Sequence, residues 1–350
     1  HTGVGVSWPE WEMTVWRDLE AWDSATRSLV LATVGAAALL ALVLILAVLL
    51  YNRLTLGICS SRSRMDNKTV IITGCNSGIG KETALDLARR GARVIMACRN
   101  MEQANKVREQ IVETTKNNNV IVKKLDLSSL SSVRSFADDI NRTERRLDVL
   151  IHNAGMANTF SKQRTADGLE ITMATNQFGP FLLTHLLIDL LKRSAPSRIV
   201  VVASSLYRLA SVNLNNPNPV NTLPAYLYYS SKYANILFTR ELARRLEGTG
   251  VTANCLHPGL IDSGIWRNVP APLSWGLNLI VKGFFKTPEQ GAQTSIYLAV
   301  SEEVTGVNGK YFSDCKEASL SSGIQDMALA KKYWEICEEL VQLKSSDPHI

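Results

Sequence analysis

The chain has 350 residues, with 38 Lys and Arg against 32 Asp and Glu for a net charge of +6, and a pI of about 9.0. That length suits one large α/β domain plus an appendage, with enough chain to bury a substantial core. The basic residues are scattered and alternate with acids, which sets aside a nucleic-acid partner and leaves a solvated surface with some attraction to anionic lipid.

Residues 1–28 form a polar segment. From Leu29 to Tyr51 there is no charge at all: LVLATVGAAALLALVLILAVLLY. As a helix this run is roughly 34 Å long, enough to cross a hydrocarbon core of about 30 Å. It continues into Tyr51-Asn52-Arg53 without the small-residue cleavage site of a signal peptide, so an uncleaved transmembrane anchor over 29–51 is expected. Residues 52–67 then form a basic linker. Arg53, Arg62, Arg64 and Lys68 follow the span, whereas Arg17 and Arg27 precede it among five acids. The positive-inside bias therefore puts the large domain in the cytosol, most simply at the endoplasmic reticulum. Two glycosylation sequons, at Asn67 and Asn141, would matter only in a lumenal domain. Six cysteines (Cys59, Cys75, Cys98, Cys255, Cys315 and Cys337) form no C-x-x-C pair. They read as reduced thiols, with neither metal site nor disulfide framework; Cys59, near the span, is a candidate for acylation.

Over residues 68–345, short β-branched runs alternate with amphipathic stretches, the pattern of a Rossmann-type doubly wound parallel sheet. Strands are expected at Val70–Thr73, Arg93–Cys98, Val120–Leu125, Val149–His152, Arg198–Ala203, Val251–Leu256 and Lys310–Phe312. Helices are expected over stretches such as Lys81–Arg90 and Ser230–Glu247. The Asn- and Pro-rich residues 207–225 read as a long surface loop.

Between the first strand and the first helix of this domain lies Thr73-Gly74-Cys75-Asn76-Ser77-Gly78-Ile79-Gly80. Glycines there permit a tight turn and let backbone N–H groups approach a pyrophosphate at the positive end of the helix. The second strand ends Ala97-Cys98-Arg99-Asn100. It lacks the acid that usually holds a ribose 2′-hydroxyl, and Arg99 offers a fork suited to a 2′-phosphate, so NADP(H) is favoured over NAD(H). Asp126, after the third strand, is either a contact to the adenine edge or a helix cap. Tyr228 and Lys232, four apart, share a helix face. An ammonium near the phenol is expected to lower its pKa, making Tyr228 a usable acid and base near neutrality.

These motifs, with Asn153-Ala154-Gly155, Ser204-Ser205 and Pro258-Gly259 in the same order, resemble the short-chain dehydrogenase/reductase family over roughly residues 66–345. Gly80–Ala84, Ala97–Arg99, Ala234–Thr239 and Gly309–Cys315 resemble its membrane-bound, NADP(H)-dependent retinol dehydrogenase branch. The resemblance implies Tyr228 as the proton donor to the carbonyl oxygen and Lys232 as the residue that holds the nicotinamide ribose. It implies Ser205 as the hydroxyl orienting the substrate oxygen, and Asn176 as the residue positioning a relay water. Cofactor contacts are implied for Gly74, Asn76, Ser77, Gly78, Ile79, Gly80, Arg99, Asn100, Asp126, Leu127, Asn153, Ala154, Gly155, Tyr228, Lys232, Pro258, Gly259, Ile261 and Ser263. His152 departs from the family's N-N-A-G and is expected as a buried, hydrogen-bonded histidine. Ser263 stands where the family often has threonine, and its hydroxyl can still serve the nicotinamide amide.

Residues 260–287 include Trp266, Trp275 and the apolar run Leu277–Phe285, with Lys282 the one charge in that run. Thr287-Pro288-Glu289-Gln290 reads as a capped helix start. An apolar lid on an anchored domain suits a lipophilic substrate that partitions into the bilayer. Retinal and retinol come first. Fatty or isoprenoid aldehydes and steroid ketones are the enzymatic alternative, and a non-catalytic binding protein on the same fold is the alternative of another class. Self-association is left open.

Overall fold

In the computed structural model, residues 23–157, 162–261 and 285–350 are described, and the chain divides into two compact units, 1–55 and 56–350. Ser263 and most of the expected lid lie outside the described residues.

Among the described residues, the first unit holds one helix, α1 (Ser24–Thr55). Its stretch Ser24–Ala47 is long and apolar enough to cross a membrane. Leu29, Leu31, Val34, Leu39, Leu40 and Leu44 are all exposed, so the apolar character runs around the helix and does not form a stripe.

The second unit is an eight-stranded sheet: β1 (Thr69–Thr73), β2 (Arg93–Cys98), β3 (Val120–Lys124), β4 (Val149–His152), β5 (Ser197–Val202), β6 (Val251–His257), β7 (Tyr311–Ser313) and β8 (Lys316–Glu317). The order is β3-β2-β1-β4-β5-β6-β7-β8. Every neighbouring pair is parallel except β7 with β8. The expected Rossmann-type sheet is therefore present, its strands within one or two residues of the sequence reading. The small antiparallel β8 is an addition. Its hairpin turns on Asp314 and Cys315, at φ 52° and 58°. Neither residue is a glycine, which is why no turn signal announced it.

Helices cover both faces. Against one pack α2 (Gly78–Arg89), α3 (Met101–Thr115) and α7 (Pro288–Val300), with Leu87, Ile111 and Ile296 buried beneath them. Against the other pack α4 (Leu130–Thr143), α5 (Gly179–Arg193), α6 (Pro224–Arg245) and α8 (Met327–Leu340). There the Phe181 ring lies 4.7 Å from Trp334, and Phe238 stacks on Trp334 at 5.8 Å. Burying each such aliphatic or aromatic side chain contributes roughly 1.5–3 kcal/mol. Helix α6 starts at Pro224, six residues before the expected Ser230, with the proline in its first turn where the missing N–H costs nothing. Helix α7 starts as expected: Thr287 accepts from Gln290 N and Gln290 returns the bond to Thr287 N.

Between β1 and β4 the strand order reverses direction. The carboxyl ends of these two strands form the crevice where doubly wound sheets take their ligands.

Candidate active site

Thr73, at the end of β1 and fully buried, ties the two sides of that crevice together. Its hydroxyl accepts from the backbone N–H of Asn153 at 3.1 Å and of Ala154 at 3.0 Å. Asn153 answers by donating Nδ2 to Thr73 O at 2.9 Å and Gly74 O at 3.0 Å. The glycines fit this closeness. A Cβ on Gly74, at φ 66°, would lie 2.8 Å from the Ala154 Cα, and one on Gly80 would lie 2.4 Å from Asn153 Nδ2. Gly78 is different: its φ of 56° needs glycine, yet nothing stands within 4 Å of where a Cβ would project. Helix α2 starts there with Ser77 as N-cap and no capping side chain. Among the described residues, no capping side chain therefore occupies its positive end.

Around this turn the expected cofactor residues divide. Arg99 follows β2, is exposed, and has no hydrogen bond or ion pair among the described residues. Asn100 is committed to the fold: its Oδ1 caps α3 by accepting from Gln103 N at 3.0 Å. Gln103, which no motif singled out, accepts from Asn76 Nδ2 at 2.8 Å. Asp126 is not a helix cap, since Ser129 caps α4. Its Oδ1 instead accepts from Ser128 N and Oγ. Leu127 is buried, and its carbonyl lies where a Cβ on Gly179 would be, so that glycine lets α5 approach.

Further along the chain, Tyr228 and Lys232 lie on α6 as expected. Lys232 is 3% exposed. Its Nζ donates to Val202 O at 2.8 Å and sits 5.6 Å from the centre of the Tyr228 ring. Burial pushes its pKa down to about 8. Burial also pushes the Tyr228 phenol up to about 12, with the nearby Ser204 hydroxyl pulling the other way. The expected lowering of the phenol by the ammonium is thus overturned in the protein alone, because desolvation outweighs it.

Ser204 lies near enough to the phenol to influence it, and Ser205, the expected substrate-orienting hydroxyl, is the next residue. Strand β5 ends at Val202, and Ser204 is the N-cap of a 3-10 turn, Ser205–Leu209, accepting from Leu206 N at 3.2 Å. Ser205 is already the first residue of that turn. Two adjacent serines give no signal for which one precedes the bend.

Asn176 is 1% exposed and lies in a π-type turn, Ala174–Phe178. Its Nδ2 donates to Met156 O and Ser231 Oγ, both at 2.9 Å, and its Oδ1 accepts from Met156 N at 2.8 Å. Ser231 in turn donates to Tyr228 O at 2.7 Å, a link the sequence did not suggest. Gly155 joins the groups: a Cβ there would lie 3.4 Å from Lys232 Nζ and 3.7 Å from Asn176 Oδ1. Asn176, Ser204, Tyr228 and Lys232 therefore meet at the carboxyl end of the sheet, beside Asn153–Gly155. Pro258, Gly259 and Ile261 follow β6 at the same end. His152 is buried as expected, with Nε2 2.8 Å from Thr184 Oγ1 and its pKa pushed down to about 3 by desolvation.

The family model for short chain dehydrogenases matches residues 68–273. The chain belongs to the short-chain dehydrogenase family. Among its relatives, mouse retinol dehydrogenase 14 is 48% identical over 290 residues, covering 79% of this chain and 86% of that protein. Human retinol dehydrogenase 11 is 44% identical over 311 residues, covering 86% and 96%. A solved structure from Mycobacterium paratuberculosis superposes with a TM-score of 0.66 at 31% identity, covering 82% of this chain and 98% of the other. RhlG of Pseudomonas aeruginosa, solved as an active-site complex with NADP, is 26% identical with a TM-score of 0.58, covering 71% and 95%.

Proposed function

We propose that this protein is a membrane-anchored, NADP(H)-dependent oxidoreductase that interconverts a lipophilic carbonyl and its alcohol, with retinal and retinol as the leading pair. The observation that carries the reading is the meeting of Tyr228, Lys232, Ser204 and Asn176 beside the glycine turn, supported by relatives named retinol dehydrogenases.

The residues around the turn suit a dinucleotide. The uncapped start of α2 and the open space over Gly78 fit a pyrophosphate, while unpaired Arg99 fits a 2′-phosphate. When bound, NADPH supplies the hydride; the chain supplies position and a proton. A phenol pushed up to about 12 is protonated at neutral pH, the form needed to give a proton to a carbonyl oxygen gaining negative charge. The serine pair Ser204-Ser205, just after β5, supplies the hydroxyl that donates to the same oxygen, with Ser204 near the phenol. Lys232 uses one of its three N–H groups on Val202 O and has two left for ribose hydroxyls. Both N–H groups of the Asn176 side chain are used within the protein, so Asn176 offers a relay water only acceptor oxygens.

The membrane reading rests on α1, which is apolar on every side as a lipid-facing span is and a surface helix is not. We assign the anchor to 29–51 and the catalytic domain to 68–345, facing the cytosol from the endoplasmic reticulum. Against a lumenal domain, the Asn141 amide already donates to Leu186 O at 2.9 Å.

Membranes carrying the full chain, given NADPH or NADH with retinal, long-chain aldehydes or steroid ketones, test the reading. Brisk NADPH-linked reduction of retinal, lost in Tyr228→Phe, is expected. No retinal turnover beside fast turnover of another carbonyl sinks the substrate. Equal turnover by Tyr228→Phe and wild type sinks the mechanism.

A further inference from the structure

The turn that follows β6 is held from behind by an ion pair that the motifs did not point to. Gly259 has φ 99°, and a Cβ there would lie 2.8 Å from Lys286 Cδ and 3.1 Å from its Nζ. The lysine stem therefore lies flat against the backbone of the Pro258–Gly259 turn. The main chain pins the same residue, since Lys286 N donates to Leu260 O at 2.7 Å and Lys286 bridges in parallel to Ile261. Its ammonium pairs with Asp314, and the two side chains are only 11% and 27% exposed. Asp314 is itself forced into place. It occupies the left-handed region at φ 52°, followed by Cys315 at 58°, a conformation that costs a non-glycine residue of order 1 kcal/mol or more. Three neighbours hold the hairpin in that state: Ser313 pairs with Lys316, Cys315 N donates to Thr294 Oγ1 at 3.2 Å, and Gly57 N approaches Asp314 Oδ1 at 3.5 Å. A Cβ on Gly57 would lie 2.0 Å from Asp314 O.

We propose that Lys286, locked by Asp314, is a positioning residue that fixes the height of the Pro258–Gly259 turn against the nicotinamide end of the cofactor. It touches neither substrate nor reacting atoms. This rests on the NADP(H) reading above. A brace that served only the fold would not need its stem against Gly259, nor a carboxylate held at positive φ to keep the ammonium there. Removing the charge while keeping the stem, as in Lys286→Met, leaves Asp314 partly buried without its counter-ion and frees the turn. The loss falls on cofactor binding, which the turn contributes alike before and during reaction.

The test uses full-length protein in detergent or membranes. NADPH affinity is read from quenching of tryptophan fluorescence, thermal stability without cofactor is read separately, and steady-state kinetics follow. In Lys286→Met and in Asp314→Asn, the NADPH Kd and KM are expected to rise about tenfold, with the carbonyl KM within twofold. The uncharged but hydrogen-bonding pair Lys286→Gln/Asp314→Asn is expected to recover to within threefold of wild type. Unchanged NADPH affinity in both single variants overturns the proposal, as does a lowered melting temperature with no change in Kd. Wild type that binds no NADPH sinks the cofactor reading and this inference with it. Wild type that binds NADPH but reduces no retinal sinks only the substrate, and the Kd comparison still decides the role of Lys286.

Discussion

Lys232 gives the sharpest quantitative prediction, because what it does for chemistry opposes what it does for folding. It is 3% exposed, and burial alone accounts for a pKa falling from the ordinary 10.5 to about 8. At about 1.4 kcal/mol per pH unit, holding this ammonium in the folded state at neutral pH costs on the order of 3 kcal/mol. Lys232→Met keeps the length and removes the charge. It also removes the bond to Val202 O, which takes back about 1–2 kcal/mol. A net gain of about 1–2 kcal/mol is expected, or roughly 2–5 °C in melting temperature for a domain of this size, together with loss of reductase activity. The pH dependence identifies the cause. The folded pKa lies below the unfolded one, so between about pH 8 and 10.5 the unfolded chain holds more protons and wild-type stability rises with pH. The variant lacks that rise, so its advantage is full below pH 8 and gone by about 10.5. Calorimetry or dye-free thermal unfolding of both proteins without cofactor, at pH 7 and at pH 10.5, makes the measurement. A variant that melts below wild type at pH 7, or an advantage that does not shrink with pH, refutes the reasoning.

Two further predictions concern the site. Arg99→Ala is expected to raise the KM for NADPH by about 10–100-fold, the worth of a charge-assisted bond to phosphate, with the KM for NADH nearly unchanged; a parallel loss with both cofactors rejects Arg99 as the 2′-phosphate residue. Ser204→Ala is expected to lower kcat at least about 100-fold, as loss of a donor to the developing oxyanion does. Ser205→Ala should stay within about fivefold, and the reverse ranking in the same kinetic assay returns the role to Ser205.

Much of this was legible along the chain because the signals are local. The apolar run in α1, the β-branched strands, the glycine turn and the Thr287 cap each depend on residues within one turn or strand of one another. The pair Tyr228 and Lys232 was legible because four residues along a helix set one face. Arg99 could be read because a strand ends just before it.

What the sequence could not decide were matters of distance across the fold. Which of Ser204 and Ser205 meets the phenol depends on where β5 stops and the 3-10 turn begins. That is set by pairing of β5 with β4 and β6, and not by the serines. The Tyr228 pKa depended on how deeply α6 buries its phenol, and there desolvation outweighed the nearby ammonium. Asn176 was drawn into clasping Met156, 20 positions away, a partner that only the folded chain brings close. The Lys286–Asp314 pair joins residues 28 positions apart, and a turn of two non-glycine residues in the left-handed region holds it. Short-range pattern determined the elements and the chemistry on offer. Tertiary packing decided which groups are desolvated and which neighbours they meet, because burial and contact belong to the whole fold.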